Sequence, residues 1–111
     1  MAYTEVVADQ IRKAFAKKKG ITEKKMFGGL CFMMNGHMLC GVEKNNLVVR
    51  VGPDQYDRAL KQKHARPMDF TGRPLKGFIY VLPQGYRTIA GLKKWLELGI
   101  NFVKSLPAKR P

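Results

Sequence analysis

Acidic residues and thiols are what this sequence has least of. Its 111 residues carry 8 Asp+Glu against 21 Lys+Arg, a formal net charge of +13 at pH 7. Two cysteines are too few for a secreted disulfide scaffold or a four-cysteine zinc site. The two histidines, His37 and His64, share no HxxxH spacing, and no CxxC pair occurs. GxSxG, Walker-type loops and paired-carboxylate motifs are lacking as well. The expectation is a non-enzymatic chain with no bound metal or cofactor. An N-terminal apolar segment with a cleavage site is missing, and no run resembles the ~20 apolar residues of a membrane span. A cytoplasmic protein with reduced thiols and no membrane partner is therefore expected.

What is present suffices for one ordinary core. The chain is 45% hydrophobic and 10% aromatic, which sets it apart from disordered basic tails. Repeats and linkers are absent, so a single domain over residues 1–107 and a short basic tail, 108–111, are expected.

Periodicity and turn chemistry give the elements. Val7, Ala8, Ile11, Ala14 and Phe15 recur at the spacing of one helix face, with Thr4 as N-cap and Gly20 past the C-terminus. Residues 26–52 read as a three-stranded meander. Asn35-Gly36 signals a two-residue type I′ hairpin. Counted outward, it pairs Met34 with His37, Met33 with Met38, Phe32 with Leu39, and Cys31 with Cys40. Asn45-Asn46 predicts a second turn, pairing Glu43 with Val48 and Cys40 with Val51. One face then holds Cys31, Met33, Met38, Cys40, Val42, Val49 and Val51 and is expected to be core. The other, with Leu30, Phe32, Met34, His37, Leu39, Glu43, Val48 and Arg50, is mixed. Pro53 opens a second helix. Strands over 68–70 and 75–82 follow, joined through Thr71-Gly72-Arg73-Pro74. A last helix starts at the N-cap Thr88, with a stripe of Leu92, Trp95, Leu96, Gly99, Phe102, Val103 and Leu106. Leu98 and Ile100 widen its apolar arc beyond what one sheet covers, which points to a homodimer. The order α-β-β-β-α-β-β-α is that of an α+β domain, an antiparallel sheet packed against helices.

Three groups of residues are candidates for function. Cys31 and Cys40 come out as a non-hydrogen-bonded cross-strand pair, with Cα atoms about 4.5 Å apart, within reach of a disulfide. Core packing is the plainer reading of the same two thiols. Asp69, Thr71 and Arg73 form a polar cluster suited to holding a loop rigid. The cations are the third group: Arg12, Lys13, Lys17, Lys18, Lys19, Lys24, Lys25, Arg50, Arg58, Lys61 and Lys76. Lys17, Lys18 and Lys19 also suit the C-terminal end of the first helix dipole. Lys76, Phe78 and Tyr80 alternate charge with aromatics on one strand, and Phe32 with Arg50 offers a similar platform. Such pairing of rings and cations is how single-stranded nucleic acids are held.

Several blocks in order carry a family likeness. Lys25-Met26-Phe27-Gly28-Gly29, Asn35-Gly36 with Met38 and Gly41-Val42, and Leu47-Val48-Val49-Arg50-Val51-Gly52-Pro53 are the first. Met68-Asp69-Phe70-Thr71-Gly72-Arg73-Pro74-Leu75-Lys76-Gly77, and Trp95 with Ser105-Leu106-Pro107, complete them. Together they resemble the N-terminal domain of the TfoX/Sxy family. The resemblance implies an α+β fold, no agreed catalytic residues, and a domain that stands alone without the family's C-terminal helical domain. Full-length members are regulators of bacterial natural competence, acting with the cyclic-AMP receptor protein. Three readings follow: transcription-linked regulation through nucleic acid or a transcription factor, a protein-interaction or oligomerisation module, and a redox or small-ligand role at Cys31 and Cys40.

Overall fold

Tight turns organise the centre of the chain. Asn35 (φ 55°) and Gly36 (φ 83°) both take the left-handed conformation that a type I′ turn needs, and Met34 faces His37 as the sequence predicts. The computed structural model describes residues 5–16, 20–26, 29–69 and 74–107. Its elements are α1 (Glu5–Ala14), β1 (Ile21–Met26), β2 (Gly29–Met34), β3 (His37–Glu43), β4 (Asn46–Arg50) and α2 (Pro53–Leu60). Then come β5 (Ala65–Asp69), β6 (Pro74–Val81), α3 (Pro83–Tyr86) and α4 (Ile89–Lys104). The strands form one antiparallel sheet in the order β1-β2-β3-β4-β6-β5. The α+β class and the expected order of elements are both present, with β1 and the single turn α3 as additions. Thr4, Lys17, Lys18, Lys19, Thr71, Arg73 and the tail 108–111 lie outside the described residues, as does the side chain of Asp69.

The helices share one core with one face of the sheet. Leu30, Phe32, Met34, Leu39, Cys40, Val42, Leu47, Val49, Val51, Ile79 and Val81 form its sheet side. Against them pack Val7, Ala8 and Ile11 of α1, Tyr56 and Ala59 of α2, Tyr86 of α3, and Leu92, Trp95, Leu96, Ile100 and Val103 of α4. Phe15, just past α1, sets its ring 6.0 Å from that of Phe32. The cap of α4 is as the sequence predicts: the Thr88 side chain accepts from the Gly91 N–H at 3.0 Å.

This core corrects the expected faces. Phe32 lies opposite Cys40 rather than Leu39, and Cys31 opposite Gly41, because the register shifts between Phe32 and Met33. Leu39 is the extra residue of a β-bulge in β3, and both Leu39 and Cys40 are fully buried. One inserted residue turns β2 over. Leu30, Phe32 and Met34 therefore face the helices, while Cys31 and Met33 face away. The two thiols project to opposite faces, so the expected cross-strand pair is not formed; both are free. The second turn falls at Lys44-Asn45, pairing Glu43 with Asn46 and Cys40 with Val49. That shift of two leaves the faces of β4 as predicted.

The homodimer expectation loses its basis in α4. Ile100 is 5% exposed and Leu98 packs half-buried against the core, so the chain covers the wide apolar arc itself. Helix α4 crosses the sheet where the β3–β4 ladder ends, at Cys40 and Val49. Its Gly99 permits the crossing, since a Cβ there would sit 3.0 Å from the Leu39 carbonyl oxygen. Gly52, at φ 86°, turns the chain out of β4 directly under the Phe102 ring, leaving no room for a side chain.

Candidate functional site

The sheet's second face is what the core leaves over. Gly41, Val48, Tyr80 and Arg66 are successive neighbours across β3, β4, β6 and β5, and Arg50 lies beside Phe78. By alternation Met33 and Met38 share this face, and Lys24 joins it opposite Cys31. Cys31, Val48 and Met68 are each 3% exposed yet lie outside the main core cluster. With Met38 and Gly41 they line a crevice of about 10 Å³, barely room for one water. Burial pushes the Cys31 thiol up against the opposing pull of Lys24, and burial pushes Cys40 up further. Neither thiol has the lowered pKa of a reactive nucleophile.

Around that small apolar patch the face is aromatic and cationic. The Arg50 guanidinium lies 5.4 Å from the Phe78 ring centroid and 5.2 Å from that of Phe102, which α4 brings to the end of β4. Tyr80 donates its hydroxyl proton to Glu43 Oε1 at 3.1 Å, which fixes the ring on the face. Phe78, Tyr80 and Arg50 are half-buried, whereas Lys24, Arg66 and Lys76 are exposed. Flat rings in reach of cations can stack bases and neutralise phosphates.

The predicted cations that lie among the described residues do not form one patch. Lys24 and Arg50 share the open face. Arg12 is taken up elsewhere: it bonds Glu23 at 2.7 and 2.9 Å and Asp9 at 2.6 Å, with Glu5 at 3.5 Å. Lys13 lines a cavity between α1 and α4. Arg58 and Lys61 are exposed on and just beyond α2, and Lys25 lies opposite Leu30 on the other side of β1 from Lys24. The Phe32–Arg50 platform does not exist, since Phe32 is 1% exposed in the core. Arg66 is the residue sequence reasoning missed. It belongs beside Tyr80 only because β5 starts at Ala65 rather than at 68. His37 Nε2 lies 2.6 Å from the Pro107 carbonyl oxygen, tying the hairpin tip to the end of α4.

Among the described residues no three His, Cys, Asp or Glu side chains gather as metal ligands, and no helix is long and apolar enough to cross a membrane. The family profile of the TfoX N-terminal domain matches residues 13–103. The chain belongs to this family. The match takes in every strand of the sheet, so the open face is part of the TfoX N-terminal domain itself. No curated protein and no solved structure matches the chain at a significant level.

Proposed function

We propose that this TfoX N-terminal domain is a cytoplasmic, non-enzymatic module that contacts nucleic acid in transcription- or competence-linked regulation, using the open face of its sheet. The observation that supports this reading is the pairing of Phe78 and Tyr80 with Arg50, Arg66 and Lys24 on the sheet face turned away from the described helices. The net charge of +13 supplies a long-range attraction to phosphates, and the rings supply sequence-tolerant stacking. The oligomerisation reading rested on Leu98 and Ile100, which pack within the chain. The thiol reading rested on a register that the bulge at Leu39 replaces.

Fluorescence anisotropy with labelled single-stranded DNA, single-stranded RNA and duplex DNA, at two salt concentrations, tests the proposal. Contact with about six phosphates gives a log–log salt slope near −5 on duplex and near −4 on single strands. Phe78→Ala weakens single-strand binding by roughly 5- to 100-fold, because stacking on one ring is worth about 1–3 kcal/mol. Absence of retention on any of the three at low salt overturns the reading.

A further inference from the structure

On the helical side of the molecule, away from the open face, α1 and the start of α4 leave a cavity of about 360 Å³. That is the size of a small-molecule site. Its lining divides by chemistry. Tyr86, Ile89 and Leu92 form an apolar wall, while Lys13, Arg87 and Lys93 supply three cations. None of the described lining residues is acidic, and none of the three cations makes an ion pair among the described residues. The wall is fixed before any ligand arrives. Tyr86 and Leu92 are each 4% exposed, Tyr86 donates its hydroxyl proton to the Asn45 carbonyl, and Trp95 Nε1–H donates to the Gly85 carbonyl at 3.1 Å.

One of the two large exposed apolar side chains belongs to the same place. Among the described residues the large exposed hydrophobics are Val6 and Ile89, at 65% and 75%. Ile89 is part of the lining, and Val6 stands one helical turn before Gln10, which also lines the cavity. Ile89 in water adds nothing to the buried core, and it stands beside three cations that make no ion pair among the described residues. Together they suit a ligand with an apolar body and an anionic group.

We propose that this cavity binds a small amphipathic anion, an apolar ring system carrying one phosphate. The ring system lies against Tyr86, Leu92 and Ile89, and the phosphate meets Lys13, Arg87 and Lys93. The positive end of the α4 dipole adds to the field, but the cavity and its three cations carry the inference.

The test uses the full chain with 1-naphthyl phosphate as probe, and 1-naphthol and inorganic phosphate as its separate halves. Binding is followed by amide chemical shifts and by calorimetry. The expected result is saturable binding of 1-naphthyl phosphate, with shifts confined to the end of α1, to α3 and to the first turns of α4. Each half alone binds at least tenfold more weakly. The double variant Arg87→Gln, Lys93→Gln loses at least tenfold in affinity while its Tm falls by no more than a few degrees, because both side chains are exposed. The separate exposed-site variant Ile89→Ser weakens 1-naphthyl phosphate and leaves inorganic phosphate unchanged. Equal affinity for inorganic phosphate and 1-naphthyl phosphate, shifts scattered over the basic surface, or no saturation would each overturn the proposal. None of these outcomes touches the nucleic-acid reading, which is tested by variants of Phe78 on the opposite face.

Discussion

Arg12 shows how a cation that looks available in sequence is spent in the fold. Its guanidinium grips Glu23 of β1 through two nitrogens while also bonding Asp9 on its own helix. The i, i+3 spacing to Asp9 was legible in sequence; the bond to Glu23 was not, because it depends on β1 passing α1 at the sheet edge. The Arg12 hydrogen bonds hold the Glu23 carboxyl below its ordinary range. A depressed folded pKa contributes stability that is present above the unfolded value of about 4.3 and is lost as pH falls through the folded one. Both side chains remain over a third exposed, so solvent screening limits the pair to about 1 kcal/mol or less. Glu23→Gln is therefore expected to lower urea-unfolding stability by about 0.5–1 kcal/mol at pH 7, with the gap closing in acid. A gap that persists unchanged at the lowest pH at which the protein stays folded would show that the bond has another source of strength.

At the scale of elements, the sequence was most legible where one rule acts alone. Thr88 followed by a clean apolar stripe placed α4, and Asn35-Gly36 placed the β2–β3 turn. Strand β1 was missed because Glu23-Lys24-Lys25 suits an edge strand, where charge guards against further pairing but masks alternation. The bulge in β3 was missed because Leu39 and Cys40 are both apolar, so strict counting from the turn met no polar residue to contradict it. A signal did exist. Phe32 is larger than either of its neighbours, Cys31 and Met33, and it reaches the same face as Cys40 and Val42 only if one residue is inserted between the turn and Cys40. The bulge makes a chemical prediction. Mild oxidation of the folded protein, followed by denaturation and thiol titration, is expected to count both Cys31 and Cys40 as free, since each is buried and they lie on opposite faces. Recovery of no free thiols in a monomeric product would mean that the hairpin adopts the unbulged register.

Across the whole molecule, the charge of +13 is a property that packing leaves largely unanswered. Arg12 gathers three carboxylates, those of Glu5, Asp9 and Glu23, whereas Lys13, Arg87 and Lys93 make no ion pair among the described residues, so much of the positive charge has little local relief. The sequence showed the imbalance; only the fold shows that Lys24, Arg50 and Arg66 lie on the open sheet face while Lys13, Arg87 and Lys93 line a cavity in the helical layer. The molecule measures 33 × 29 × 27 Å. At about 10 mM salt the screening length is about 30 Å, so every cation feels every other; at about 150 mM it is about 8 Å, and only near neighbours interact. Self-repulsion is greater in the compact state than in the expanded unfolded chain, so screening stabilises the fold. Against this, screening weakens the Arg12 network, which is worth little to begin with. The repulsion wins, and Tm is expected to rise by several degrees between these two concentrations of sodium chloride, since about 1 kcal/mol moves a domain of this size by roughly 4–8 °C. A flat or falling Tm in calorimetry would mean that attractive pairs outweigh the repulsion, and that the excess of cations is neutralised within the fold rather than left available to an anionic partner.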